Sequence, residues 1–224
     1  MRDDYPTDSF LGRLSRESVD ALTANARSRV YERGQIVIGE RDPSRDLYLV
    51  FSGSVRAASF TKHGREIAFN DILAGDCFGE IAAIDGGPRS SSVMVTETAE
   101  IARIPQHRVR ALLTENNELC QVFLALFCEK LRALSTRMVE LTGLKTSQRL
   151  RRELARLARA HRTGPDSGVI LKPPTQTDLA IRIFARREEV SREMSRLRKT
   201  GLIVKEGRTL RAPSIQRLEA DEAD

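Results

Sequence analysis

The sequence predicts an α+β chain in two parts, an N-terminal antiparallel β-roll and a C-terminal unit of short helices with a small hairpin, joined by one long helix. Three observations predict it. Short alternating or apolar runs with turn residues between them fill the stretch from about Val30 to Arg103. A seam of apolar residues spaced by three and four runs from Leu124 to Leu141. The basic surplus sits at the end of the chain, where 19 Lys and Arg stand against 11 Asp and Glu from Gly143 onward, within a formal net charge of +6. At 224 residues the chain is long enough for two modest cores. The expected boundaries are 1–107 for the roll, 108–143 for the long helix and hinge, and 144–224 for the C-terminal unit.

Composition narrows the function classes. A hydrophobic content of 40%, a charged content of 30% and no Trp describe a soluble chain, and no apolar run approaches transmembrane length. The N-terminal MRDDYPTDSF lacks the basic and apolar regions of a signal peptide, so a cytoplasmic location is expected and a membrane is not. Cys77, Cys120 and Cys128 form neither a C-x-x-C pair nor an even set, which leaves disulfide, zinc and iron–sulfur frameworks without support. His63, His107 and His161 are scattered, and no metal is expected. The motifs G-x-x-x-x-G-K-[ST], H-E-x-x-H and G-x-S-x-G are absent, so catalysis has no candidate residues.

Taken in order, FLGRLSRESVDALTANA has a helical pattern that suits packing against the roll. The strands expected next are QIVI, DLYLVFSGSVRAASF, REIAFNDI, SSVMV and AEIARI, with Gly34, Pro43, Gly53, Gly64 and Gly75 at the corners. Between the third and fourth lies FGEIAAIDGGPRSSSV, Phe78 to Val93, the most informative stretch of the chain. A Gly-Glu pair opens a short helical turn, whose free N–H groups attract anions, and Arg89 arrives nine residues after Glu80. The guanidinium fork suits a phosphate, while the ionised Glu80 carboxylate, an acceptor only, suits a ribose hydroxyl. The alternative is a turn of the roll in which Glu80 and Arg89 pair at the surface.

Beyond Pro105 the period changes. Leu124, Phe127, Leu131, Leu134, Met138 and Leu141 form the seam of a coiled coil, with Cys120 one step earlier and Glu129, Lys130, Arg132, Arg137 and Glu140 on the opposite face. That pattern points to a homodimer; its alternative is a helix packed on its own domain. Gly143 and LKTSQ mark a hinge, and SQRLRRELARLARAH reads as a basic amphipathic helix with Leu150, Leu154 and Leu157 inward. A loop holding the short strand VIL follows. From Thr175, two short helices and a hairpin are expected. Thr175 and Asp178 resemble a capping box, and Leu179 and Ile183, then Val190, Met194 and Leu197, form the inner faces. Arg186, Arg187, Glu188 and Arg192 face away, where their alternative role is a solvated face with a Glu188–Arg192 pair.

FGEIAAIDGGPRSSSV closely resembles the phosphate-binding cassette of cyclic-nucleotide-binding domains, and the C-terminal RREEVSRE with its flanking helix and hairpin resembles the winged helix-turn-helix of the cyclic-AMP receptor protein (CRP/FNR) family. The resemblance implies a transcription regulator rather than an enzyme. In it Gly79, Glu80 and Ile81 line the ribose and phosphate, Arg89 and Ser90 close on the phosphate oxygens, and the long helix dimerises the protein and closes the pocket. Ser135 and Thr136 stand beside Leu134, where the family's adenine-contacting threonine is replaced, so cyclic AMP leads with cyclic GMP close behind. The partners implied are double-stranded DNA, a second copy of the chain and, for an activator, RNA polymerase. Arg187, Glu188 and Arg192 would read bases of a TGTGA-type half-site, with Thr175, Gln176 and Arg208 on phosphates. Phe184 departs from the glycine often found in the family's turn, which puts the geometry between the two helices in question. Two rival readings remain: a regulator of this family with a vestigial pocket or another effector, and a regulatory subunit of an enzyme.

Overall fold

The computed structural model describes residues 5–24, 26–61 and 66–220. Gly64, expected at a corner, and His63 lie outside the described residues. The chain divides into two compact units, Met1–Arg132 and Ala133–Asp224.

The first unit opens with a 3₁₀ turn and α1 (Arg16–Thr23), whose N-cap Ser15 accepts a hydrogen bond from Ser18 N. The strands are β1 (Arg27–Tyr31), β2 (Ile36–Ile38), β3 (Leu47–Phe60), β4 (Glu66–Leu73), β5 (Cys77–Phe78) and, after α2 (Glu80–Asp85), β6 (Ser92–Ile104). They form one antiparallel sheet in the order β1-β6-β3-β4, with β2 added to β6 and β5 to β3. Side-chain alternation on β3 explains the continuous burial of Leu47 to Val50. Leu47 and Leu49 enter a core shared with Phe10, Leu14, Ile104 and Phe123, while Tyr48 and Val50 enter a second core with Ile38, Phe78, Val95 and Ile101. Gly53 holds φ at +75°, where a Cβ would lie 2.1 Å from Thr98 O, so only glycine lets β3 and β6 approach this closely.

Two expectations change here. SSVMV and AEIARI are one strand, β6, because the Thr-Glu-Thr between them contains no breaker and its register to β3 merely shifts. β1 is not among the expected strands, since four of its five residues are exposed and leave no hydrophobic period to read.

After Pro105 come two helices rather than one, α3 (Gln106–Glu115) and α4 (Asn117–Gly143). Asn116 separates them in extended conformation, its Oδ1 accepting from Leu119 N at 2.9 Å. The charged face of α4, opposite the expected seam, carries residues that fold back on the chain. Glu129 meets Arg13 at 2.7 Å, Lys130 meets Glu80 at 2.7 Å, and Glu140 is buried. Within the expected seam, Phe127 packs into its own unit's core beside Phe123, with ring centroids 6.4 Å apart. Leu124, Leu131, Leu134, Met138 and Leu141 are exposed, Leu134 by 62% and Met138 by 67%.

The second unit continues with α5 (Thr146–Arg159), β7 (Gly168–Ile170), α6 (Gln176–Arg182), α7 (Arg187–Lys199), β8 (Val204–Glu206), β9 (Thr209–Ala212) and α8 (Ile215–Glu219). β7, β9 and β8 form a three-stranded antiparallel sheet. Leu150, Leu154, Leu179, Ile183, Val190, Met194 and Leu197 meet in its core as their spacing predicts. Leu157 is only partly buried, and Arg151 and Glu153, which the sequence places on a solvated basic helix, are buried in pairs. No helix among the described residues is long and apolar enough to cross a membrane.

Candidate functional site

In the first unit the site is built around α2. Gly79 and Gly86 flank the helix, both left-handed at φ +76° and +77°. At Gly79 a Cβ would lie 2.6 Å from Arg89 Nη1 and 2.9 Å from Asp46 O, so glycine is what leaves space for the guanidinium. Glu80 and Arg89 are both buried, which removes the alternative of a surface pair. Arg89 Nη1 donates to Gly79 O at 3.1 Å, and Nη2 donates to Ser44 Oγ at 2.9 Å and Asp46 O at 3.0 Å. Its guanidinium carbon lies 5.7 Å from the centre of the Tyr48 ring, which itself stacks on Phe78. The Arg89 Nε–H is buried without a hydrogen-bond partner among the described residues. Burial lowers the pKa of Arg89, while the charges around it, Glu80 among them, oppose that shift.

Glu80 Oε1 accepts from Lys130 Nζ of α4 at 2.7 Å. Sequence reasoning missed Lys130, because its place on the helix gives no sign that it turns toward α2. It equally missed Ser44, Asp46 and Tyr48, which come from a loop and strand more than 40 residues before Arg89. Asp46 is held in turn by Arg103 Nε at 2.5 Å and by Gln106 N at 3.0 Å. Ile81 is exposed by 39% and Ser90 is exposed, so both lie at the rim. Ser135 and Thr136 are exposed on α4. Lys130 also borders a separate cavity of about 230 Å³ that Asp76, Cys77 and Leu126 help to line. Burial pushes up both the Asp76 carboxyl and the Cys77 thiol there.

In the second unit the capping box is present: Asp178 N donates to Thr175 Oγ1 at 3.1 Å and Thr175 N donates to Asp178 Oδ2 at 3.3 Å. It starts α6 and leaves Thr175 exposed with Gln176 half-buried. Arg186 precedes α7, its backbone N–H donating to Glu189 Oε2 at 2.8 Å. Arg187, Glu188 and Arg192 are exposed on the N-terminal half of α7 and make no ion pair among the described residues, so the alternative of a Glu188–Arg192 pair does not occupy them. A groove of about 250 Å³ lined by Thr146, Ser147, Glu189, Arg192, Glu193 and Arg196 runs beside α7. Arg208 is exposed in the turn between β8 and β9. Phe184 takes φ +54°, so the turn between α6 and α7 keeps a left-handed conformation although its residue is not glycine.

Comparison with known proteins agrees with both halves. Residues 28–116 match the family model of the cyclic nucleotide-binding domain and residues 148–221 that of the Crp-like helix-turn-helix domain. The chain is 26% identical over 204 residues to a CRP-like cAMP-activated global transcriptional regulator of Mycobacterium tuberculosis, covering 90% of each. It is 28% identical over 195 residues to the cAMP-activated global transcriptional regulator of Haemophilus influenzae, covering 86% of each. Among solved structures, the c-di-GMP-responsive global regulator of Xanthomonas campestris superposes with a TM-score of 0.75 at 21% identity, over 88% of this chain and 98% of that one. A cyclic-nucleotide-binding domain and a DNA-binding helix-turn-helix thus lie in one chain, and the protein belongs to the CRP/FNR family of transcription regulators, which are not enzymes.

Proposed function

We propose that this protein is a cytoplasmic, homodimeric regulator whose affinity for a pseudo-palindromic, TGTGA-like DNA site is set by cyclic AMP or cyclic GMP. The observation that carries the ligand half is Arg89, a buried guanidinium with an idle Nε–H donor in a turn that only Gly79 can leave open. A buried donor without an acceptor is costly, and a phosphate oxygen supplies one. Glu80 takes a ribose hydroxyl on its carboxylate and thereby competes with Lys130, which brings the ligand to α4. Ile81 and Ser90 close the rim, and Ser135 and Thr136 meet the base. The two curated relatives are named as cAMP-activated, which favours cyclic AMP, whereas the Ser90 hydroxyl beside Arg89 favours a guanine.

The effector half rests on the exposed, unpaired Arg187, Glu188 and Arg192. Arginines take guanine O6 and N7, and the glutamate accepts from cytosine N4. Thr175, Gln176 and Arg208 hold phosphates, and Arg186 stands at the start of the reading helix. The exposed leucines of α4 and Met138 receive the same face of a second copy, which sets two reading helices about 34 Å apart. The roll (1–107), the dimer helix (108–143) and the effector (144–224) are then the working parts. Nucleotide acts by favouring the dimer state that fits DNA.

A second reading has its own observation. Both terminal nitrogens of Arg89 already hold protein acceptors, as they would in a pocket where the arginine had become a structural tie. Calorimetric titration of the nucleotide-stripped protein with cyclic AMP, and separately with cyclic GMP, decides. Saturable binding that Arg89→Gln weakens at least a hundredfold, in a variant that still unfolds cooperatively, supports the sensor. Absence of heat with both nucleotides favours the structural tie and a different trigger.

A further inference from the structure

We infer that Glu140, acting through Arg156 and Glu153, is a positioning residue for the DNA-reading helices, and that this buried ion chain is the grip of α4 on the effector. The inference deepens the reading of α4 as the link between ligand and DNA. Glu140 lies in the last turn of α4 and is 6% exposed. Its Oε2 accepts from Arg156 Nη2 at 2.9 Å, and Arg152 Nη1 lies 3.8 Å from Oε1. Arg156 is shared, because its Nε lies 3.2 Å from Glu153 Oε2. Glu153, 4% exposed, accepts on its other oxygen from Arg182 Nη1 at 3.3 Å, and Arg182 is the last residue of α6. On the same stretch of α5, Arg151 Nε donates to Glu193 Oε1 of α7 at 3.2 Å, both residues being buried. One helix therefore grips α4, α6 and α7, each through a guanidinium and a carboxylate.

The chemistry separates a joint from a binding site. Arg137, Glu140, Leu141, Arg156, Arg182 and Phe184 border a cavity of only about 10 Å³, too small for an organic ligand. Burial lowers the pKa of Arg137, and its charged neighbours are the other members of this chain. A contact that needed only stability would be met by apolar packing, as Leu150, Leu154, Ala155 and Ala158 already do on α5. Burying carboxylates is costly unless every partner is in place. Apolar faces tolerate sliding, whereas directional pairs hold one register and are lost together when it changes. Because Arg156 serves two carboxylates, withdrawing Glu140 re-aims it on Glu153 and disturbs the hold on Arg182. The last turn of α4 and the start of the DNA-reading motif are thereby one unit.

The test uses the full-length protein and the duplex that the wild type selects from a random pool, with affinities read by fluorescence anisotropy with and without saturating cyclic AMP. Glu140→Gln, Arg156→Gln and their double are compared with Glu219→Gln, which breaks the pair between Arg159 of α5 and Glu219 of α8, away from these ion pairs. We expect Glu140→Gln and Arg156→Gln each to lower the ratio of the two affinities at least fivefold, within the usual range of coupling. The double should be no worse than either single, and nucleotide affinity by calorimetry should stay within about twofold. An unchanged ratio, additive losses or an equal loss in Glu219→Gln would overturn the inference. If the wild type ignores nucleotide, the sensor reading fails alone, and the same comparison of DNA affinities still decides whether the joint positions the helices. If Glu140→Gln does not fold, Arg156→Gln against Glu219→Gln carries the decision.

Discussion

Phe184 holds a left-handed backbone at φ +54° between α6 and α7, a conformation that costs an L-residue about 1–2 kcal/mol. Its side chain is half-buried, so packing recovers part of that cost. Phe184→Gly relieves the strain and forfeits the packing, and the two nearly cancel: urea unfolding should show a change below about 1 kcal/mol. Phe123→Ala, at a site 2% exposed in the first core, should instead cost about 3–5 kcal/mol. A large loss in Phe184→Gly would mean that its ring, rather than the turn, fixes the geometry. At this scale the sequence was legible where a short motif sets residue types at a fixed spacing. Glu80, Arg89 and the Thr175 cap are of that kind. Lys130, Ser44 and Asp46 were not legible, because a common polar residue becomes a partner only when distant chain segments meet.

Among the elements, α5 and α7 show how pattern and environment diverge. The 3.6-residue period places Leu150, Leu154, Val190, Met194 and Leu197 in the core, as hydrophobic spacing alone requires. Charge alone argues that Arg151, Glu153 and Glu193 should be solvated, yet all three are buried, since a charge can enter a core once its counter-ion arrives from another helix. Glu193 makes this testable. Hydrogen bonds from Arg196 first, and then from Arg151, hold its carboxyl below the usual value of 4.5. A depressed folded pKa contributes stability above the unfolded value that is lost as pH falls through the folded one. Glu193→Gln should therefore destabilise the protein at about pH 7 and approach wild-type stability as the pH falls below 4.5, which urea unfolding at a series of pH values measures. A gap that is constant with pH would show that packing, not ionisation, sets the contribution of Glu193.

For the whole molecule, the open question of the long helix is which face meets another body. Leu131, Leu134 and Met138 are each more than 60% exposed, an apolar stripe of a kind that marks an interface on a soluble protein. If the proposed dimer forms through this stripe, Leu134→Glu with Met138→Glu should sediment as a monomer where the wild type sediments as a dimer, and should weaken binding to a two-half-site duplex at least a hundredfold, with little effect on a single half-site. A variant that stays dimeric would remove the coiled-coil assignment. The sequence by itself determined the order of the parts, the Gly-Glu turn with its arginine, the capped helix pair and the apolar spacing of the long helix, because local periodicity and turn chemistry act over a few residues. Only the tertiary structure decided that Glu80 answers to Lys130, that Phe127 leaves the seam for its own core, and that the charged side of α4 packs inward with Glu140 against α5. These depend on which distant segments share a low-dielectric interior, where a charge must find its partner, and no local pattern encodes that choice.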